Sequence, residues 1–184
     1  NVTAAVDPAL TTSGQVIADL EARILPEVLA NFPGVFYTFE GAQAEQVDAV
    51  GAVARLFPEL RIVIDHIGHV PIDGNAPDNT WQEAMARIAE CRNVYCKVSA
   101  VPEQAVTQPA PAAGDYYQPT LDALWRIFGE DHVIFGTNWP VSDRAADFST
   151  VVAIVREYVE RLGPEVAAKY WRANARKAYR FVDR

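Results

Sequence analysis

Short apolar runs that alternate with helical patterns along the whole chain constrain its fold more than any other feature. Such alternation is the signature of βα units that build a mainly parallel sheet. Strands are predicted over residues 2–6, 35–39, 61–65, 94–99 and 133–135. The third of these is almost wholly apolar in its middle (Ile62, Val63, Ile64), as a strand covered on both faces should be.

The helices are read from spacing. Thr12 and Gln15 stand at capping-box distance, followed by a stripe of Val16, Leu20, Ile24 and Val28, with Pro26 set to kink it. The next helix carries Val47, Val50, Ala54 and Phe57 on one face and stops at Pro58. Thr80 and Glu83 repeat the capping-box spacing and open a helix with Trp81, Ala84, Met85 and Ile88 inward. Residues 102–115, rich in proline and alanine, predict a long mobile loop. A helix over 119–128 ends at Gly129. Of the two closing helices, the first is expected to bury Phe148, Val151, Val152, Val155, Val159 and Leu162, and the second starts after Gly163 and Pro164. Five strands with helical connections predict an α/β fold, a partial (β/α)₈-type barrel in one domain, since a closed barrel takes about 250 residues and this chain has 184.

Charge and cysteine content narrow the function classes. A net charge of −8 repels phosphate backbones and argues against nucleic acid as a partner. The apolar runs are too short to span a bilayer, which argues against a membrane partner, and no basic segment followed by an apolar one opens the sequence. Cys91 and Cys96 form no metal motif and read as two free thiols, which points to a reducing, cytoplasmic setting. A small molecule is the expected partner.

Parallel βα architecture gathers the C-terminal ends of the strands on one edge, where sites form. The residues at those ends are Asp7, Glu40, Asp65 with His66, Ser99 and Asn138. His69 lies three residues beyond His66, so the two imidazoles could share a metal. Lys97, inside a strand, needs a partner if buried, and Asp65 could pair with it or orient a neighbour. Trp139, Tyr116 and Tyr117 could line a pocket or simply pack, and Asp143 and Arg144 could hold an anion or cap a helix. His132 precedes its strand and so belongs to the opposite rim.

Four ordered motifs, RIVIDHIG at 61–68, NVYCKVS at 93–99, FGEDHVIFGTNWPV at 128–141 and WRANARKAY at 171–179, resemble the amidohydrolase-related lactonases. That group includes fuconolactonase and pyrone-dicarboxylate lactonase. The resemblance runs from about Ala42 to the end of the chain. It implies a (β/α)₈-derived fold and hydrolysis of a lactone or other activated ester by attack of water. His66 would be base or metal ligand, assisted by Glu40 or Asp7, and Asn138 would hold the oxyanion. Ser99, Trp139 and Arg144 would meet substrate. A divalent metal such as zinc would take His66, His69 and Glu40, and phosphotriester hydrolysis would be a side activity. Two departures stand out. No His-x-His strand opens the sequence, and Asn138 stands where the family motif has Asp, a residue that an amide cannot replace as a base.

Residues 1–46 resemble instead a β-α-β piece of the porter domain of resistance–nodulation–division efflux pumps, through VTAAVDP, ILPEV, Pro33-Gly34 and FEGAQAEQ. That implies a chimera joined near residues 42–50, and with it two alternatives: a folded chain without activity, or a transporter-derived binding module. A half-barrel with open edges further predicts a homodimer.

Overall fold

The computed structural model describes residues 36–39 and 44–180, with isolated helical positions between 15 and 27. The strand predicted over 2–6, Asp7 and Glu40 lie outside the described residues. Four strands, β1 (Phe36–Phe39), β2 (Arg61–Ile64), β3 (Val94–Val98) and β4 (Val133–Phe135), form one sheet in the order β1-β2-β3-β4. All pairs are parallel, with Phe39 opposite Ile64, Ile64 opposite Cys96 and Val98 opposite Phe135. Parallel neighbours need long crossovers, and helices supply them here. These are α1 (Ala44–Leu56), α2 (Asn79–Ala89) and α3 (Gln118–Phe128). Helix α4 (Phe148–Arg161) follows, then α5 (Pro164–Ala168), a π turn over Lys169–Ala173 and α6 (Asn174–Tyr179). The fold is therefore α/β, a parallel sheet with surrounding helices. No helix among the described residues is long and apolar enough to cross a membrane.

Because strand side chains alternate, each strand serves two cores. Ile62, Ile64, Val94, Cys96, Val98 and Val133 join the large core beneath α1 to α4. Val63, Tyr95 and Ile134 face the other way and meet Ala178 of α6. By the same alternation Lys97 and Ser99 share the face of Tyr95, which carries polar groups onto the side opposite the helical layer. Burial at Cys96 pushes its thiol well above the ordinary range, so it is a packing residue.

The helix ends refine the sequence reading. Trp81, Ala84, Met85 and Ile88 are the buried residues of α2, as the spacing predicts. Its cap is Asp78, whose carboxylate accepts from the Trp81 amide at 2.8 Å, so Thr80 falls inside the first turn. Helix α4 buries Val151, Ile154, Val155, Tyr158 and Val159. Phe148 and Leu162, expected inward, are exposed, the first as the opening residue of the helix and the second just past its end, and Val152 is half-buried. The segment over 102–115 is tied down. Ile72 bridges to Ala105, the Tyr116 hydroxyl donates to Ile72 O at 2.8 Å, and the Tyr117 hydroxyl donates to Pro111 O at 2.7 Å. Two asparagines lock strands to helices. The Asn93 amide donates to Leu60 O (2.7 Å) and Ala54 O (3.1 Å). The fully buried Asn174 amide donates to Glu130 O (2.7 Å) and Val133 O (2.9 Å).

Candidate active site

Each of β2, β3 and β4 leaves the sheet through left-handed backbone. His66, Ile67, Gly68 and His69 all have positive φ (55°, 55°, 63° and 55°), Ala100 follows at 54° and Asn138 at 60°. Only one of these six is glycine, and an L-residue in this region costs about 1–2 kcal/mol. Such strain persists where surrounding contacts over-determine it, and it clusters at functional edges.

Those contacts come from the loop after β3, which touches both of its neighbours. Its first residue, Ser99, is buried, and its Oγ lies 2.8 Å from His66 Nδ1. Gln104 Nε2 lies 3.3 Å from His69 Nδ1, and the His66 and His69 rings stand edge to face with centroids 5.2 Å apart. On the other side, Asn138 Nδ2 donates to Glu103 Oε1 at 2.9 Å. The Ser142 hydroxyl lies between that same oxygen and Thr137 O. One step deeper, Lys97 pairs with Asp65 and lies 5.8 Å from the Tyr179 ring centre. Burial works against the Lys97 charge, but the hydrogen bond to Asp65 and the nearness of Tyr179 outweigh it and hold its pKa above the ordinary value.

The sequence-predicted residues divide accordingly. His66, Ser99 and Asn138 all sit at the C-terminal edge, and His69 adjoins His66. The Asp65–Lys97 ion pair is formed. Trp139 is 41% exposed and stacks edge-on against Phe148 at 5.4 Å. Asp143 and Arg144 are exposed in the turn Val141–Arg144. Tyr116 and Tyr117 fasten the loop after β3. His132 lies at the start of β4, with Nε2 3.1 Å from Arg92 O. Three site residues carry no signal in the sequence: Glu103, Gln104 and Ser142. Glu103 lies in a segment read as mobile, and its partner Asn138 is 35 positions away.

For a metal the expected ligands are His66, His69 and Glu40, of which only the two imidazoles are described. Among the described residues no group of three or more His, Cys, Asp or Glu side chains is placed to hold a metal ion. Asp65, the nearest carboxylate in sequence, is engaged by Lys97. The described residues alone do not fit a metal centre.

A parallel βα sheet with imidazole, hydroxyl and amide groups at its C-terminal edge follows the plan of (β/α) barrels, whose sites form at that edge. The chain belongs to the amidohydrolase family, whose model matches residues 17–181. The L-fucono-1,5-lactonase of Burkholderia ambifaria is 35% identical over 140 residues, covering 74% of this chain and 47% of that enzyme. An amidohydrolase from Burkholderia multivorans, solved with bound HEPES, superposes with a TM-score of 0.70 at 25% identity, over 92% of this chain and 57% of that one. A second crystal form of an amidohydrolase from that organism, with bound zinc, gives 0.69 at 25% identity, again over 92% and 57%. The chain thus spans about half the length of the curated relatives it matches. The family match begins at residue 17 and runs through the proposed joint near residues 42–50, so an efflux-pump origin for the first 46 residues finds no support.

Proposed function

We propose that this chain hydrolyses a small-molecule lactone, with sugar-derived 1,5-lactones as the substrate class. The observation that carries the reading is the His66–Ser99 hydrogen bond of 2.8 Å at the C-terminal edge of the sheet. The likeness to a fuconolactonase supports the choice of lactone. Ser99 fixes the ring through Nδ1, so His66 takes part in proton transfer at Nε2. Water attacks the lactone carbonyl and gives its proton to His66 as the tetrahedral intermediate forms. The ring C–O bond then breaks, the carbonyl reforms, and His66 returns the proton to the departing alkoxide. The product is the open hydroxy acid. Glu40 and Asp7 are proposed to assist, and Trp139 and Arg144 to meet the substrate at the rim.

Alternatively, a divalent ion would occupy His66 in place of the proton, held also by His69 and Glu40, a reading supported by zinc in a related structure. It would polarise the carbonyl, and phosphotriester hydrolysis would follow as a side reaction. A homodimer is also proposed, since β1 and β4 each have one strand neighbour among the described residues.

The test is hydrolysis of an aldono-1,5-lactone, followed by acid release, for wild type and His66→Ala, with metal content measured on the same samples. Loss of a positioned base lowers the rate by about 100-fold or more. A folded His66→Ala variant with most of the wild-type kcat/KM would remove His66 from the mechanism.

A further inference from the structure

The orientation of the Asn138 amide is settled by chemistry. The Glu103 carboxylate only accepts hydrogen bonds, so the Asn138 nitrogen must face it, and Oδ1 must point the other way. That oxygen has no hydrogen-bond partner among the described residues, and Asn138 is only half-buried. The backbone of Asn138 is also fixed. It is left-handed, and its carbonyl accepts from the Ser142 amide at 3.2 Å, while the Ser142 side chain meets Glu103. Glu103 itself is held at a cost. Its second oxygen, Oε2, is buried without a hydrogen-bond partner among the described residues, a situation worth about 1–3 kcal/mol against the fold. A group retained at such cost is better explained by a task than by stability.

We infer that Glu103 is a positioning residue that turns the Asn138 amide oxygen outward, so that the site presents an acceptor to a substrate hydroxyl group. This replaces the oxyanion-donor role expected of Asn138. It rests on the lactonase reading and deepens it: the preferred ligands are lactones that carry hydroxyl groups. Glu103 acts through Asn138 and touches no reacting atom.

The experiment compares an aldono-1,5-lactone with δ-valerolactone, which has no hydroxyl group, in wild type, Glu103→Ala and Glu103→Gln. Without its anchor the amide rotates, and KM for the hydroxylated lactone rises by about tenfold, the scale of one hydrogen bond, while δ-valerolactone is unaffected. Glu103→Gln stays near wild type, because its carbonyl oxygen can accept both bonds. Equal losses for the two lactones, no loss in Glu103→Ala, or damage in Glu103→Gln equal to that in Glu103→Ala overturns the inference. Should Glu103→Ala fail to fold, Asn138→Ala and the double exchange Glu103→Gln with Asn138→Asp decide. The first must show the same selective loss. The second must retain affinity, because the introduced glutamine amide donates to the introduced carboxylate and leaves an acceptor oxygen facing outward. The lactonase reading fails separately, if wild type turns over neither lactone. Calorimetric titration with an aldono-1,5-lactam, the amide counterpart of the hydroxylated lactone, then decides alone. Binding weakened about tenfold in Glu103→Ala sustains the inference, and equal binding, or none by wild type, overturns it.

Discussion

Replacing Lys97 by methionine isolates the charge on the sheet face opposite the helical layer. The stem is kept, because it runs across Gly136: a Cβ added there would lie 2.8 Å from Lys97 Cδ. What is lost is the partner of Asp65. Breaking a fully buried pair costs about 3–5 kcal/mol. Here the two side chains are 21% and 11% exposed, and water recovers part of the penalty, leaving about 2–3 kcal/mol. With a urea slope near 2 kcal/mol/M, the unfolding midpoint falls by about 1 M. Adding Asp65→Asn removes the stranded carboxylate and recovers at least half of the loss, which a double-mutant cycle reads directly. The pH dependence follows from the raised Lys97 pKa. The contribution is fully present below the ordinary 10.5 and is lost as pH rises through the higher folded value, so wild type and variant converge in strong alkali. A Lys97→Met midpoint within about 0.2 M of wild type would refute the argument, because that difference is worth under half a kcal/mol.

Two further outcomes are expected. Gly136→Ala places a methyl group 3.1 Å from Ser99 Cβ as well as against Lys97. The Ser99–His66 bond loosens, and lactone turnover falls by about tenfold with a smaller change in KM. Steady-state kinetics on the folded variant check this, and an unchanged kcat counts against the role of that bond. Asp147, which caps α4, has its pKa lowered to about 2 by hydrogen bonds from Ser149 and Thr150. Its stabilising effect holds above the ordinary carboxylate value and fades as pH falls toward 2, so melting curves of wild type and Asp147→Ala converge in acid. A gap that persists at the lowest pH argues for a cause other than ionisation.

The sequence announces whatever depends on neighbours along the chain. The i, i+3, i+4 and i+7 spacing picks out Trp81, Ala84, Met85 and Ile88, and the apolar runs place all four described strands. Strand ends then bring His66, Ser99 and Asn138 to one edge by topology alone. Where several local signals compete, tertiary context chooses. Asp78 outcompetes Thr80 as a cap, and Phe148 is apolar yet too near a helix end to reach the core. Contacts between distant loops leave no periodic trace. Nothing around Glu103 says that it meets Asn138, and nothing in the proline-rich stretch says that Tyr116 and Tyr117 will fasten it.

The left-handed exits of β2, β3 and β4 bear on how this chain would respond to selection. Ile67 is β-branched, fully buried and held at φ 55°, and Ala100 is nearly as hidden at 54°. Glycine adopts such backbone at little steric cost, so a screen for heat resistance alone would be drawn to Ala100, where little packing is lost, rather than to Ile67, whose buried side chain outweighs the strain. The gain would come from relaxing the turns that aim His66 and Asn138. Thermostability and aim are then in conflict at the strand exits, and a robust variant is better sought on the helical layer, in α1 to α4, away from Phe148 and its contact with Trp139.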